Sequence, residues 1–276
     1  MLRPERSGLA ITFIILNLIS LLFTPTLAGE PPIRIVSLAP NMTEILFELG
    51  LGDRIVGVTN FCDYPDEAKK KKKVGGMYNP SLESIISLKP DLVVMTTDGN
   101  IKEFEERLRA LNIKTYVFKV KRLHELPKGI RDLGEALGVK ERAESLARKI
   151  EIGFKQRDVV INKKRVLFII WPEPLIVAGR DTAIDDAIKL LGCENIVKTH
   201  TSYPKYSVEE IILQSPDVIF FGSGKTSMKM SSKSILKRIS DVHSVKDIKV
   251  CYVSDSIYRL GPRIINGINE MAQCLK

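Results

Sequence analysis

The residues best suited to chemistry in this chain are aromatic side chains set in short polar clusters. These are Asn60-Phe61-Cys62-Asp63-Tyr64-Pro65, Met77-Tyr78-Asn79, Thr96-Thr97-Asp98, Trp171-Pro172-Glu173-Pro174, Tyr203-Pro204-Lys205-Tyr206 and Asp255-Ser256-Ile257-Tyr258-Arg259. Flat apolar faces beside a few hydrogen-bonding groups suit noncovalent capture of a small molecule, with stacking for affinity and polar groups for orientation. Catalytic patterns are scarce. His124, His200 and His243 are far apart and lack the H-x-x-x-H spacing of a metal site. Gly75-Gly76 and Gly222-Ser223-Gly224-Lys225 do not complete a phosphate loop, and no G-x-S-x-G elbow is present. The sequence thus predicts a binding protein with no catalytic residues, no metal site and no required cofactor. An exported α/β enzyme is the less favoured alternative, because it needs a nucleophile–base pair.

Those clusters are predicted to sit at the ends of strands. Strand-like runs are Ile33–Leu38, Arg54–Val58, Leu92–Met95 and Thr115–Phe118, then Val166–Ile170, Val218–Phe221 and Val250–Val253. Amphipathic segments such as Thr43–Leu49, Leu82–Leu88 and Ile101–Leu111 alternate with them. Strand, helix and strand at this spacing make parallel βαβ units, whose ligands bind outside the carboxyl ends of the strands. The middle of the chain differs. Leu126–Leu137 reads as one helix ending at Gly138, and Lys140–Ile161 as a longer one with Ala143, Leu146, Ala147, Ile150 and Phe154 on one face. About 22 helical residues reach roughly 33 Å. The predicted fold class is therefore α/β: two Rossmann-like lobes joined by one long backbone helix, with the ligand cleft between them. The predicted organisation is a leader over 1–28, a first lobe over 29–125, linking helices over 126–163 and a second lobe over 164–276.

An internal repeat supports two lobes. Ser81 to Asp91 and Ser207 to Asp217 share the pattern S-x-E-x-I-I-x-x-x-P-D, each followed by a branched apolar strand. Serine caps a helix through its side-chain oxygen, and the glutamate sits in the first turn, where the helix dipole favours negative charge. Two copies, one per lobe, predict equivalent helices on equivalent faces.

Compartment follows from the first residues. Arg3 and Arg6 precede an uncharged, mostly apolar stretch of 15 residues, Leu9 to Phe23, and Thr24 to Ala28 supplies small residues for cleavage. That is the layout of a secretory signal, and the apolar stretch falls short of the roughly 20 residues a membrane span needs. Cleavage near Ala28 is expected, leaving a periplasmic, monomeric protein; losing Arg3, Arg6 and Glu5 takes the formal charge from +9 to +8. The excess charge is dispersed except at Lys69 to Lys73, which reads as a solvated loop, and no aromatic–basic interleaving accompanies it, so nucleic acid is not an expected partner. Export permits disulfides, and the four cysteines allow three pairings. Cys193 follows a helix and Cys274 lies in the terminal one. A Cys193–Cys274 bridge is expected, with Cys62 and Cys251 as free thiols.

Arg34-Ile-Val-Ser-Leu-Ala-Pro-Asn-Met-Thr-Glu44, Gly50 to Val58, Asp63-Tyr64-Pro65, Gly192 to Val197, Tyr203 to Pro216 and Ser254 to Ile265 resemble the periplasmic binding proteins with a helical backbone. These serve ABC importers for vitamin B12, ferric siderophores, haem and some metals, and the likeness is strongest to the vitamin B12-binding members. The resemblance implies that Glu83 and Glu209 pair with arginines on the two permease subunits of an importer. It implies a macrocyclic ligand, cobalamin or a related corrinoid first, with haem or a ferric siderophore as the alternative. It places Phe61, Met77, Thr96, Trp171, Ile176, Tyr203, Asp255 and Arg259 at or next to ligand contacts, with Tyr78 offering an extra face. Met77, Thr96 and Ser256 stand where the vitamin B12 binders carry tryptophans.

Overall fold

The computed structural model describes residues 31–97, 99–100, 102–156, 163–222, 233, 235–238 and 248–276. The expected signal segment, Asp98, His243 and the end of the expected long helix lie outside the described residues.

Among the described residues, two five-stranded sheets organise the fold. The first holds β1 (Ile35–Ser37), β2 (Ile55–Val58), β3 (Lys72–Lys73), β4 (Leu92–Thr96) and β5 (Thr115–Phe118) in the order β3-β2-β1-β4-β5. Every pairing in it is parallel. The second holds β6 (Arg165–Pro172), β7 (Leu175–Val177), β8 (Glu194–Asn195), β9 (Val218–Gly222) and β10 (Lys249–Val253). Here β10, β9 and β6 are parallel neighbours, β8 joins β6 in parallel, and β7 turns back antiparallel on β6. All seven predicted strands form. The three that the sequence does not predict have two or three residues each, too short to carry a period-two pattern. One of them corrects the reading of the lysine run as a loop. Lys72 and Lys73 pair their backbones with β2 at the sheet edge while their side chains stay exposed, and charged side chains on an edge strand discourage further pairing.

Alternate strand residues enter different cores. Ile35 and Val94 face a large central cluster, whereas Val36, Val93 and Met95 face an outer one. Val166, Phe168, Val218 and Phe220 join the same central cluster, and Leu167, Ile169, Ile219 and Phe221 pack outward. Between the sheets in sequence come α5 (Leu126–Ala136) and α6 (Lys140–Lys155), separated at Gly138, whose φ of 70° is the left-handed conformation that ends helices. The buried stripe of α6, Ala143, Leu146, Ala147 and Ile150, belongs to the central cluster. The described helix runs for 16 residues, or about 24 Å, and the rest of the expected span lies outside the described residues.

The sequence repeat is a structural repeat. α3 (Leu82–Ser87) leads into β4 beside β1, and α8 (Val208–Gln214) leads into β9 beside β6. Ser81 Oγ accepts the Ser84 N–H at 3.2 Å, and Ser207 Oγ accepts that of Glu210 at 3.1 Å. Lys89 (φ 46°) and Ser215 (φ 44°) take the same left-handed turn just before Pro90 and Pro216. Asp91 then accepts the backbone N–H of Arg34, and Asp217 that of Arg165. In return the Arg34 guanidinium donates to Leu88 O and the Arg165 guanidinium to Ser215 O, closing each helix end.

The cysteine expectation is corrected. Cys251 on β10 is bonded to Cys274 in the terminal helix α9 (Ile264–Leu275), and Cys193 is a buried free thiol, as is Cys62. Cys274 does tie the chain end to its own lobe, but through the adjacent strand, which spacing along the chain does not disclose.

Candidate functional site

A cavity of about 280 Å³ opens where the strands of the first sheet end. Each of those five strands contributes: Pro40 and Asn41 follow β1, Phe61 follows β2, Met77 and Tyr78 follow β3, Thr96 ends β4, and Val120 follows β5. Tyr258, Arg259 and Leu260, which follow β10 of the second sheet, close the far wall. A parallel sheet exposes its carboxyl-end loops at one edge, so this convergence follows from topology.

Local bonds hold the loops in place. Gly75 (φ 102°) bridges to Pro80 and turns the segment that carries Met77 and Tyr78 back on itself. Asn100 donates to Met77 O at 2.8 Å while its own carbonyl accepts the Thr96 N–H at 2.9 Å, pinning that segment to the end of β4. Next to Phe61 in sequence, the buried Cys62 thiol lies between the hydroxyls of Thr43 (3.1 Å) and Thr59 (3.2 Å). Tyr258 packs edge-on against Phe168, and its hydroxyl occupies the space left by the missing side chain of Gly222.

The electrostatic centre is a cluster that spans the two sheets. Glu44, on α1 (Pro40–Glu48), is 1% exposed. It accepts from Arg259 Nη1 at 2.7 Å and from Arg263 Nε at 3.0 Å and Nη2 at 2.7 Å. Arg259 Nη2 also lies 2.7 Å from both Asp63 Oδ1 and Asp255 Oδ2. Arg263 reaches Asp255 at 3.6 Å and sits over the Tyr64 ring at 4.2 Å. Burial opposes the charge of Arg259, but Glu44, Asp63 and Asp255 outweigh it, and its pKa lies above the ordinary value. Arg263 is raised as well, chiefly by its bond to Glu44. Elsewhere Arg122 donates to Asp186 and Asp181, and Asn41 donates to Leu260 O at 3.3 Å.

The predicted site residues divide into two groups. Phe61, Met77, Tyr78, Thr96 and Arg259 line the cavity, and Asp255 stands behind Arg259. Trp171, Ile176 and Tyr203 do not line it. Trp171 is paired with Ile176 across β6 and β7, and the segment around Tyr203 bonds along β7 through Pro204 O and the Tyr206 N–H. Both Trp171 and Tyr203 are about half exposed, at 47% and 49%. Both lie by the β6–β7 pair of the second sheet, outside the cavity lining. Sequence reasoning places Asp63 in a strand-end cluster but does not single out Glu44 and Arg263 as site residues. The one available signal is the Arg259-x-x-x-Arg263 spacing; Glu44 and Arg259 are 215 residues apart, and no local pattern links them. Glu83 and Glu209 are both exposed, one per lobe, and Glu209 has Arg238 at 3.8 Å. Among the described residues no His, Cys, Asp and Glu cluster is arranged to hold a metal ion.

Two α/β lobes whose strand-end loops meet around a mostly apolar cleft make the architecture of a small-molecule binding protein. The chain belongs to the periplasmic binding protein family, whose pattern it matches over residues 35–249. Proteins of this family work with ABC importers. It is 33% identical, over 91% of this chain and 82% of the relative, to an uncharacterized ABC transporter substrate-binding lipoprotein, YvrC, of Bacillus subtilis. It is 29% identical to a vitamin B12-binding protein of Vibrio parahaemolyticus, over 90% of this chain and 91% of that one. Among solved structures it resembles the periplasmic vitamin B12-binding protein BtuF of Vibrio cholerae, with a TM-score of 0.75, 26% identity and 89% and 97% of the two chains covered. It is equally similar in fold to the periplasmic haem-binding protein RhuT of Roseiflexus sp. RS-1, with a TM-score of 0.76, 27% identity and 88% and 97% covered.

Proposed function

We propose that this protein is exported, with its signal segment cleaved near Ala28, and that it captures a corrinoid outside the cytoplasm and delivers it to an ABC importer. The observation that carries the ligand reading is the cavity itself: aromatic and apolar walls from Phe61, Met77, Tyr78 and Tyr258, closed by a single arginine. Its volume is just below the usual range of about 300–1,000 Å³ for ligand sites. A corrin ring would therefore lie partly outside it, across the cleft, with Trp171 and Tyr203 of the second lobe against the other face. The relatives named as vitamin B12-binding proteins support this reading. Haem is the second reading, favoured by the equally similar haem-binding fold.

Glu83 and Glu209 are proposed as the contacts with the two permease subunits. Their helices occupy equivalent places in the two sheets, and in a parallel βαβ unit the helix N-terminus lies at the carboxyl ends of the strands, the same side as the cleft. The paired lobes thus offer one carboxylate each to a two-fold partner.

Absorbance titration of the purified protein with cobinamide, haemin and a ferric siderophore tests the ligand. Saturable binding of cobinamide, weakened about tenfold or more by Trp171→Ala, is expected from the loss of one stacking face. Saturation by haemin or the siderophore alone, with no response to cobinamide, overturns the corrinoid reading.

A further inference from the structure

The lysine run at the edge of the first sheet points to a second partner, and its placement rests on the permease reading above. Residues 66–73 carry five lysines, Lys69 to Lys73, against two carboxylates, Asp66 and Glu67. Among the described residues only Lys69 is held by one of these, through Asp66 at 2.6 Å. Lys71 donates to Gly52 O at 2.7 Å, and Lys73 donates to Cys62 O at 2.9 Å and Ala68 O at 3.3 Å. Those acceptors are uncharged carbonyls, so both ammoniums are fixed in place with their charge retained. Lys70 and Lys72 are exposed and have no side-chain hydrogen bond or ion pair among the described residues. Five lysines against two carboxylates leave a local surplus of three positive charges.

Position in the fold indicates what that surplus meets. β3 pairs with Gly57 and Val58, the last two residues of β2, so the lysine strand stands at the carboxyl end of the sheet. Val74 continues from β3 and accepts the Ser81 N–H at 2.7 Å, and Gly75 bridges to Pro80. Ser81 caps α3, the helix that carries Glu83. The lysine strand is therefore tied, one residue beyond its end, to the start of the helix proposed to meet the permease. A surface set against a permease is also set against the lipid around it. We infer that Lys70 and Lys72, backed by the fixed charges of Lys71 and Lys73, rest on anionic lipid headgroups beside the importer and help to hold the first lobe there. A phosphodiester headgroup suits them. It offers negative charge and oxygen acceptors with no fixed geometry, which ammoniums on flexible stems can meet without a built pocket. The attraction fades over a Debye length of about 8 Å at physiological salt, so lysines turned away from the membrane contribute little.

Vesicle sedimentation of the exported protein, with no permease present, tests this. Vesicles of phosphatidylglycerol mixed with phosphatidylcholine are compared with phosphatidylcholine alone, at low and high salt. Wild type should sediment with the anionic vesicles at low salt, be released at high salt, and ignore the neutral ones. A lysine close to an anionic membrane contributes about fivefold to partition, so Lys70→Gln/Lys72→Gln should weaken it by about tenfold or more. Lys128→Gln/Lys149→Gln removes the same charge from exposed sites on α5 and α6. That control should stay within about twofold of wild type, since its lysines lie off the contact. All four positions are exposed, and both variants should keep the wild-type Tm. Equal loss in the two variants would assign binding to net charge and overturn the inference. No binding by wild type, or equal binding to both vesicles, overturns it too. Uptake separates this inference from the permease reading. If Glu83→Lys with Glu209→Lys abolishes uptake while anionic vesicles fail to bind wild type, the glutamate contacts stand and the lipid contact falls. If vesicles bind through Lys70 and Lys72 while those reversals leave uptake intact, the glutamate contacts fall and the lipid contact stands.

Discussion

Glu44→Gln should be among the most damaging single substitutions in the protein. Glu44 is 1% exposed and receives three guanidinium contacts of 2.7 to 3.0 Å from Arg259 and Arg263. Glutamine keeps the shape, removes the charge, and turns one acceptor into an NH2 that points at guanidinium donors. Removing one partner from a buried ion pair costs about 3–5 kcal/mol, because the other is left uncompensated. Arg259 keeps Asp63 and Asp255, and Arg263 keeps the Tyr64 ring and a longer contact to Asp255, so the low end, about 3 kcal/mol, applies. In a protein of this size, each kcal/mol shifts Tm by about 2–4 °C, which gives a loss of about 6–12 °C. Urea unfolding at constant m-value reads the same quantity as a free energy. Because Glu44 and Arg263 touch, a double-mutant cycle with Arg263→Gln should return a coupling of about 1–3 kcal/mol. A loss under about 1 kcal/mol, or strict additivity in the cycle, would show that Glu44 is solvated in solution and does not hold the arginines.

Four further outcomes are expected. Glu83→Lys with Glu209→Lys should abolish importer-dependent uptake while leaving ligand affinity unchanged; loss of binding in the double variant would return both residues to the fold or the cleft. Iodoacetamide should label no thiol in the native protein and two, Cys62 and Cys193, after denaturation without reductant, since both are buried and burial pushes the Cys193 thiol up. Cys274→Ser should cost about 3 kcal/mol, the entropy of closing a loop of 23 residues, and unchanged urea stability would dismiss the Cys251 bridge. At low pH, Arg131 and then Arg148 hold the Glu144 carboxyl at about 2, below its ordinary value of 4.5. A carboxyl held low in the folded protein stabilises it fully above the unfolded value, and that stability fades as pH falls towards about 2. Glu144→Gln should therefore flatten the fall in Tm between pH 4.5 and 2; identical acid limbs would remove the pair from the account.

What can be read from the chain is what local sequence determines. The Ser81 and Ser207 helices, their glutamates and the Pro-Asp entries into β4 and β9 are each written within eleven consecutive residues, so the repeat is legible in the residues themselves. The positive-φ turn at Lys89 and Ser215 is not legible, because neither residue type announces it and only its place before proline is shared. The short strands β3, β7 and β8 escape sequence reading because edge pairing depends on a neighbouring strand, not on their own two or three side chains. The disulfide expectation fails for a related reason. Spacing along the chain cannot tell that β10, and not the Cys193 turn, lies under α9.

Arg259 shows why the ligand is harder to read than the fold. Residue type alone marks it as a cation at a strand-end loop, and a lone cation in a cleft argues for an anionic ligand. The structure brings it Glu44 from 215 residues away, with Asp63 and Asp255 beside it. The same guanidinium then keeps donors to spare while its charge is balanced within the cluster. Residue type therefore decides that Arg259 can donate; the carboxylates gathered around it decide to what.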